Sequence, residues 1–282
     1  MKTYPLRSDG ALKRYDYLSN LSSDRWAWEY LRRNERFRAD AVSRHEDDIS
    51  ERMAPCAPVR LLRPRTAQTL AARWGLIIMP DPELNGFEAD VFWSRAVHPD
   101  QVEVHCSPRA EAEPCRIFER TMPACKVTHL TDGEGREFLL LRGNGCVVQV
   151  CCTGLSLLSI ETVRMELTIS DMDAYERKLK AQKEALELYG STSAVQTPLW
   201  SKRTQILRDG LIALDCLELG MSRRDIAAVL YGKEAVDAEW SDDRGTMRDA
   251  VKYLVNKAES LRDGGYLIEL LDGHLGPYQA AA

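Results

Sequence analysis

No apolar run approaches the about 18 residues that a membrane-spanning helix needs. The opening Met1-Lys2-Thr3-Tyr4-Pro5 is not followed by an apolar signal segment. Both absences point to a cytoplasmic protein with no membrane partner. None of the eight cysteines stands in a C-x-x-C pair, and reduced thiols are the default in a chain without an export signal. A surplus of positive charge is also missing. The formal net charge of −5 argues against non-specific coating of nucleic acid, although one locally basic face suffices for specific binding. There is no G-x-S-x-G elbow, no H-E-x-x-H, and no kinase or NTPase signature. The pairs Gly133-Glu134-Gly135 and Gly143-Asn144-Gly145 are not followed by the Lys-Ser or Lys-Thr of a phosphate loop. Tyr266 with scattered arginines lacks the Arg and His boxes of a tyrosine recombinase. The sequence therefore predicts no enzyme and no cofactor.

What is present is an ordinary globular composition, 44% hydrophobic and 29% charged over 282 residues. The pattern predicts an α+β protein with an N-terminal helical segment, an antiparallel β-rich middle domain and a C-terminal helix-turn-helix-like helical domain. Residues 1–50 form the first part, with Ser22 or Ser23 capping a helix that carries Asp24 in its first turn. Trp26 and Tyr30 share a face of that helix and Trp28 does not. Either all three dock internally, or one aromatic is presented to polymerase or another partner. Residues 51–66, with Pro55, Pro58 and Pro64 among Arg60, Arg63 and Arg65, read as an extended linker.

Residues 67–190 read as the β-rich domain with a closing helix. A short helix over Thr66 to Trp74 ends at Gly75, and candidate strands are Ala89–Trp93, Gln101–Cys106, Glu137–Arg142, Cys146–Cys152, Ser156–Ile160 and Val163–Ile169. Gly143-Asn144-Gly145 is a hairpin signal, and the last four strands predict an antiparallel meander. Cys151 and Cys152, adjacent in a strand, point to opposite faces. His98, His105, Cys106, Cys115, Cys125 and His129 are zinc-ligand types without the short paired spacing of a structural site. They read as thiols and satisfied histidines, with no metal. Ser170 is a candidate N-cap for a helix ending at Gly190, and residues 191–198 are the clearest loop.

Residues 199–282 carry the strongest pattern. A helix over Lys202 to Leu219 has Ile206, Leu207, Leu211, Leu214 and Leu217 at helical spacing and stops at Gly220. Ser222, with Asp225 three residues on, opens a second helix that stops at Gly232. After a connection of about a dozen residues, a third helix runs from Thr246 to Arg262. Met247, Ala250, Val251, Leu254, Ala258 and Leu261 form its apolar stripe, and Asp263-Gly264-Gly265 is expected to end it. The candidate DNA-binding residues are Arg223, Arg224, Arg244, Thr246, Arg248, Lys252, Tyr253, Asn256 and Lys257. Arg suits guanine, Asn suits adenine, and Lys suits phosphate. A helical bundle that binds another protein without DNA fits the same pattern.

The run Gly220-Met221-Ser222-Arg223-Arg224-Asp225-Ile226-Ala227-Ala228-Val229-Leu230-Tyr231-Gly232, followed by Trp240, Met247-Arg248-Asp249 and Gly264-Gly265-Tyr266, resembles the helix-turn-helix variant domain of FseA-type activators and related antiactivators. Trp26 to Asn34 resembles the small transcriptional-regulator-like domain found upstream of that module. The order of parts resembles the full-length activator. The resemblance implies an activator bound to promoter duplex that switches on excision and transfer genes of an integrative and conjugative element. It also implies RNA polymerase and a homologous antiactivator as partners.

Overall fold

The computed structural model describes residues 10–43, 48–55, 58–109, 125–143, 145–158, 163–169, 175–190, 200–241 and 245–271. In chain order the elements are α1 (Gly10–Lys13), a 3-10 turn (Asp16–Asn20), α2 (Ser23–Leu31), α3 (Glu35–Val42), β1 (Ile49–Met53), β2 (Val59–Pro64), α4 (Thr69–Arg73), β3 (Val102–Pro108), β4 (Lys126–Thr131), β5 (Glu137–Gly143), β6 (Cys146–Gly154), β7 (Val163–Thr168) and α5 (Tyr175–Gly190). The C-terminal helices are α6 (Lys202–Glu218), α7 (Arg223–Tyr231), α8 (Lys233–Glu239), α9 (Thr246–Ser260), a π turn (Leu261–Gly265) and α10 (Tyr266–Glu269). The α+β class is as expected. Among the described residues, no helix is long and apolar enough to cross a membrane.

The strands form one sheet in the order β1-β2-β4-β5-β6-β3-β7. Neighbours pair antiparallel except β2 with β4 and β3 with β6, which are parallel. Of the expected meander only the β5–β6 hairpin holds: β7 pairs with β3, and the unforeseen β4 pairs with β5. Strand β5 reads Glu-Phe-Leu-Leu-Leu-Arg-Gly and is buried along its whole length, as a central strand covered on both faces must be. Phe138 and Leu140 enter one core with Leu62, Leu130 and Phe92. Leu139 and Leu141 enter another with Val104, Val150 and Ala181 of α5. Cys151 and Cys152 divide between those two cores, following strand alternation.

Three expectations are corrected. Residues 51–66 are not a linker: they hold most of β1 and all of β2, paired from Ile49 opposite Pro64 to Met53 opposite Arg60. Pro64 ends β2 and Pro55 and Pro58 lie between the strands, so no proline interrupts a central ladder position. Ala89–Trp93 is buried but is no strand, contributing only an isolated bridge between Leu76 and Trp93. Side chains satisfy its backbone instead. Arg142 donates to the carbonyls of Phe87 (2.8 Å) and Ala89 (2.7 Å), and Gln149 exchanges two 2.8 Å bonds with the backbone of Trp93. Ser156 to Leu158 form a turn, and Ile160 lies outside the described residues. Strand β4 was missed because Thr128 and His129 interrupt its apolar reading; both are buried. Ser170, Cys115 and the loop 191–198 lie outside the described residues.

Helix α2 is buried on every side. Trp26, Trp28 and Tyr30 are 2%, 0% and 1% exposed, so none is presented to a partner. The polar residues Asp24, Arg25 and Glu29 are buried with them. On one side Arg25 donates to the Val91 carbonyl (3.0 Å) and Trp28 Nε1 to the Leu84 carbonyl (3.1 Å). On the other the Tyr30 hydroxyl donates to the Leu207 carbonyl of α6 (2.8 Å). Just beyond α2, Arg33 bridges Glu29 (2.8 Å) and Asp215 of α6 (2.6 Å), and the Tyr15 hydroxyl donates to the same Asp215 carboxylate (2.6 Å). The first and last parts of the chain therefore share one core, from Leu12 to Leu271.

Burial pushes the Asp215 carboxyl up, but the hydrogen bonds and charge of Arg33, with the Tyr15 hydroxyl, prevail and hold it below its ordinary value. Its contribution to stability is present above the unfolded pKa of about 4 and is lost as pH falls through the lower folded value. Asp215→Ala is expected to lower the unfolding free energy by about 3 kcal/mol at neutral pH. In urea titrations the gap to wild type should narrow below about pH 4. A gap that stays constant into acid contradicts this account.

Candidate nucleic-acid interface

The C-terminal helices are positioned by local signals that the structure makes explicit. Ser201 and Thr204 form a capping box at the start of α6. Gly220, at φ 74°, turns the chain out of α6, a conformation glycine adopts without steric cost. Ser222 and Asp225 form a second, reciprocal capping box at the start of α7. The Ser222 hydroxyl and amide hold the Asp225 carboxyl below its ordinary value. Ile226, Ala227 and Leu230 are buried, and small Ala227 lets α7 approach its neighbours closely. The dozen-residue connection after Gly232 is not an open loop: it contains α8, anchored by Val236 at 1% exposure.

Helix α9 packs most extensively along α6. Met247 and Val251 are fully buried, and Leu254, Val255, Ala258 and Leu261 complete the inner face. Its end departs from expectation. Asp263-Gly264-Gly265 does not terminate the helical path but kinks it, with Gly264 at φ 128°, and α10 follows directly. There Tyr266 is 1% exposed and tilts against Trp93 at a ring separation of 5.9 Å, too enclosed to serve as a nucleophile.

The outer face of α9 carries Thr246, Arg248, Lys252 and Asn256, all exposed, and Tyr253 at 55% exposure. Arg248, Lys252 and Asn256 recur every four residues and so line one stripe along the rod. The other predicted residues are less uniformly placed. Arg223 is exposed at the start of α7. Arg224, beside it, is paired with Asp237 of α8 at 2.9 Å. Lys257 is half-buried on the opposite flank and pairs with Glu269 of α10. Arg244 lies outside the described residues. Exposed Asp249 and half-buried Glu259 share the outer arc with the basic groups. The surface is thus a line of hydrogen-bond donors with acidic neighbours, not a uniform basic field. Sequence reasoning missed α8 and the pairing of its Asp237 with Arg224; Gly232 followed by Lys233 and Glu234 was the available signal for the helix.

Among the described residues the candidate histidines and cysteines do not gather at one site. His129 is buried 3.4 Å from Glu137, and His105 lies 3.3 Å from the Thr153 hydroxyl. Among the described residues no three His, Cys, Asp or Glu side chains are arranged to hold a metal ion.

Two family models match the chain. Residues 168–271 match one described as T6SS, Transcription factor, DNA binding domain. Residues 11–77 match one described as Proteobacterial transcriptional regulator-like domain. The two matches support a DNA-binding transcription regulator. No curated protein matches the chain. In this regulator the C-terminal match takes in α5 to α10, and the N-terminal match takes in α2, α3 and the β1–β2 pair. Strands β3 to β6, and β7 up to Leu167, lie between them.

Removing the Ser222 hydroxyl leaves an amide at the start of α7 without its acceptor. Ser222→Ala is expected to destabilise the fold by about 1 kcal/mol, read as a lower denaturation midpoint with an unchanged slope. An unchanged midpoint contradicts the importance of this cap.

Proposed function

We propose that this protein is a cytoplasmic transcriptional activator that binds promoter duplex through α9 and switches on excision and transfer genes of a mobile genetic element. The observation that carries the DNA-binding reading is the exposed Arg248, Lys252 and Asn256 stripe on a helix whose opposite side is locked into the core. A rod held in this way enters a major groove with its donors fixed in register. Arg248 and Asn256 then read base edges, while Lys252, Thr246 and Arg223 meet phosphates, joined by Arg244 and Tyr253; Lys257, paired with Glu269 on the opposite flank, supports α10 instead. Arg224 sets the angle of α7 through Asp237 and contacts the backbone beside it. The mobile-element target, RNA polymerase as partner and inhibition by a homologous antiactivator rest on the FseA-type resemblance. The matched family's description names T6SS, which makes T6SS genes the second target reading.

A different use of the same helices is an antiactivator or scaffold that binds protein without DNA. The acidic Asp249 on the outer arc and exposed Tyr253 favour it. Footprinting the purified protein on its own genomic neighbourhood at two salt concentrations separates these readings, because phosphate contacts give a steep salt slope. No protection at low salt rejects DNA binding.

The double substitution Arg248→Ala with Lys252→Ala is expected to abolish promoter binding while the circular dichroism spectrum stays unchanged. Full binding by that variant rejects α9 as the reading helix. Asp249→Asn removes a negative charge from the same surface and should tighten binding by about three- to tenfold at low salt. An unaltered affinity places Asp249 away from the duplex.

A further inference from the structure

We propose that β7 is a self-complementary edge through which two copies of this chain join their sheets. Among the described strands β7 ends the sheet, paired on one side only, with β3. In an antiparallel ladder alternate residues turn their N–H and C=O groups to the two sides, so β7 has outward-facing backbone groups that no described strand pairs, although the Thr168 carbonyl accepts from Gln182 of α5 at 2.7 Å. Val163-Arg164-Met165-Glu166-Leu167-Thr168 has no proline, lysine or glycine, and its two edge charges, Arg164 and Glu166, are of opposite sign.

The side chains select a partner. A two-fold axis perpendicular to the sheet pairs residues an even number apart, because opposed residues must lie on the same face. Centred on Met165, it sets Arg164 opposite the second copy's Glu166 and Glu166 opposite the second copy's Arg164. Both charges are well exposed, at 59% and 45% of their side chains, and are joined within the strand at 3.2 Å. On the other face the same register sets Leu167 against the second copy's Val163. Val163 and Met165 belong to the core beneath α5, and Leu167 is 40% exposed at its margin, so pairing extends an existing apolar layer. Moving the axis by one residue in either direction brings Arg164 against Arg164 or Glu166 against Glu166, which is repulsive. The opposite edge, β1, lacks this property. Centred on Glu51 or Arg52, it opposes two like charges. The occupant that fits β7 is therefore another β7, in one register.

The full chain carrying Met165→Cys tests the register directly. The two-fold axis places that residue opposite itself, within disulfide reach. Mild oxidation should give a covalent dimer well above the wild-type background from native cysteines. In light scattering, Arg164→Glu alone or Glu166→Arg alone should weaken self-association by roughly 30-fold. Combining the two reversals restores opposite charges across the axis and should return the dimer. A monomeric wild type, no cross-link above background, or single reversals that leave the dimer intact each overturn the proposal. Circular dichroism of the exposed-charge variants confirms that the fold is retained.

Discussion

A chain of buried charges, Glu29 to Arg33 to Asp215, holds this molecule together across its length. Burying three ionised groups is costly unless each is matched, and here every partner is itself fixed. Glu29 also accepts from the Gly86 amide at 2.7 Å and from Arg32 at 2.7 Å, while Asp215 accepts from Tyr15. The network joins α2, the irregular segment before β3, and α6. Because α6 carries α9 along its flank, the same network ties the N-terminal helices to α9. Helix α9 is thus a rigid outgrowth of the central core.

That arrangement explains which features were legible in the sequence and which were not. The C-terminal helices were readable because their signals are local. Ser222 and Asp225 lie three residues apart, Gly220 and Gly232 mark stops, and the stripe from Met247 to Leu261 has helical period. Their roles need no knowledge of the rest of the fold. The outer face of α9 was legible for the same reason, since burial of one side implies exposure of the other. Which donors are tied up was not legible. Arg224 pairs with Asp237 thirteen positions away, and Lys257 pairs with Glu269 twelve away, across elements whose placement depends on packing.

The misreadings share one cause: polar residues with distant partners. The Trp26 to Arg33 run leaves open whether an aromatic is presented to a partner, and burial of all three settles it, with Arg33 matched by Glu29 and the distant Asp215. Ala89 to Trp93 looks like a strand because it is apolar, yet Arg142 and Gln149 complete its backbone in place of a ladder neighbour. The arginines and prolines of residues 51–66 suggest a solvated connector, but Arg60 is paired with Glu51 at 2.8 Å and also with Asp90. In each case tertiary pairing overrides composition.

The kink at Gly264 has a consequence for synthesis. It delivers Tyr266, Leu267, Leu270 and Leu271 into the same apolar interior that encloses Trp93 and the aromatic helix α2. Those C-terminal residues are translated after nearly everything they cover. A nascent chain generally folds in order of emergence, amino end first. Here α2 emerges with its tryptophans uncovered and stays incomplete until α10 has followed it. Premature termination before α10 would leave greasy surface open at the centre of the protein, a form suited to chaperone capture and proteolysis instead of partial activity.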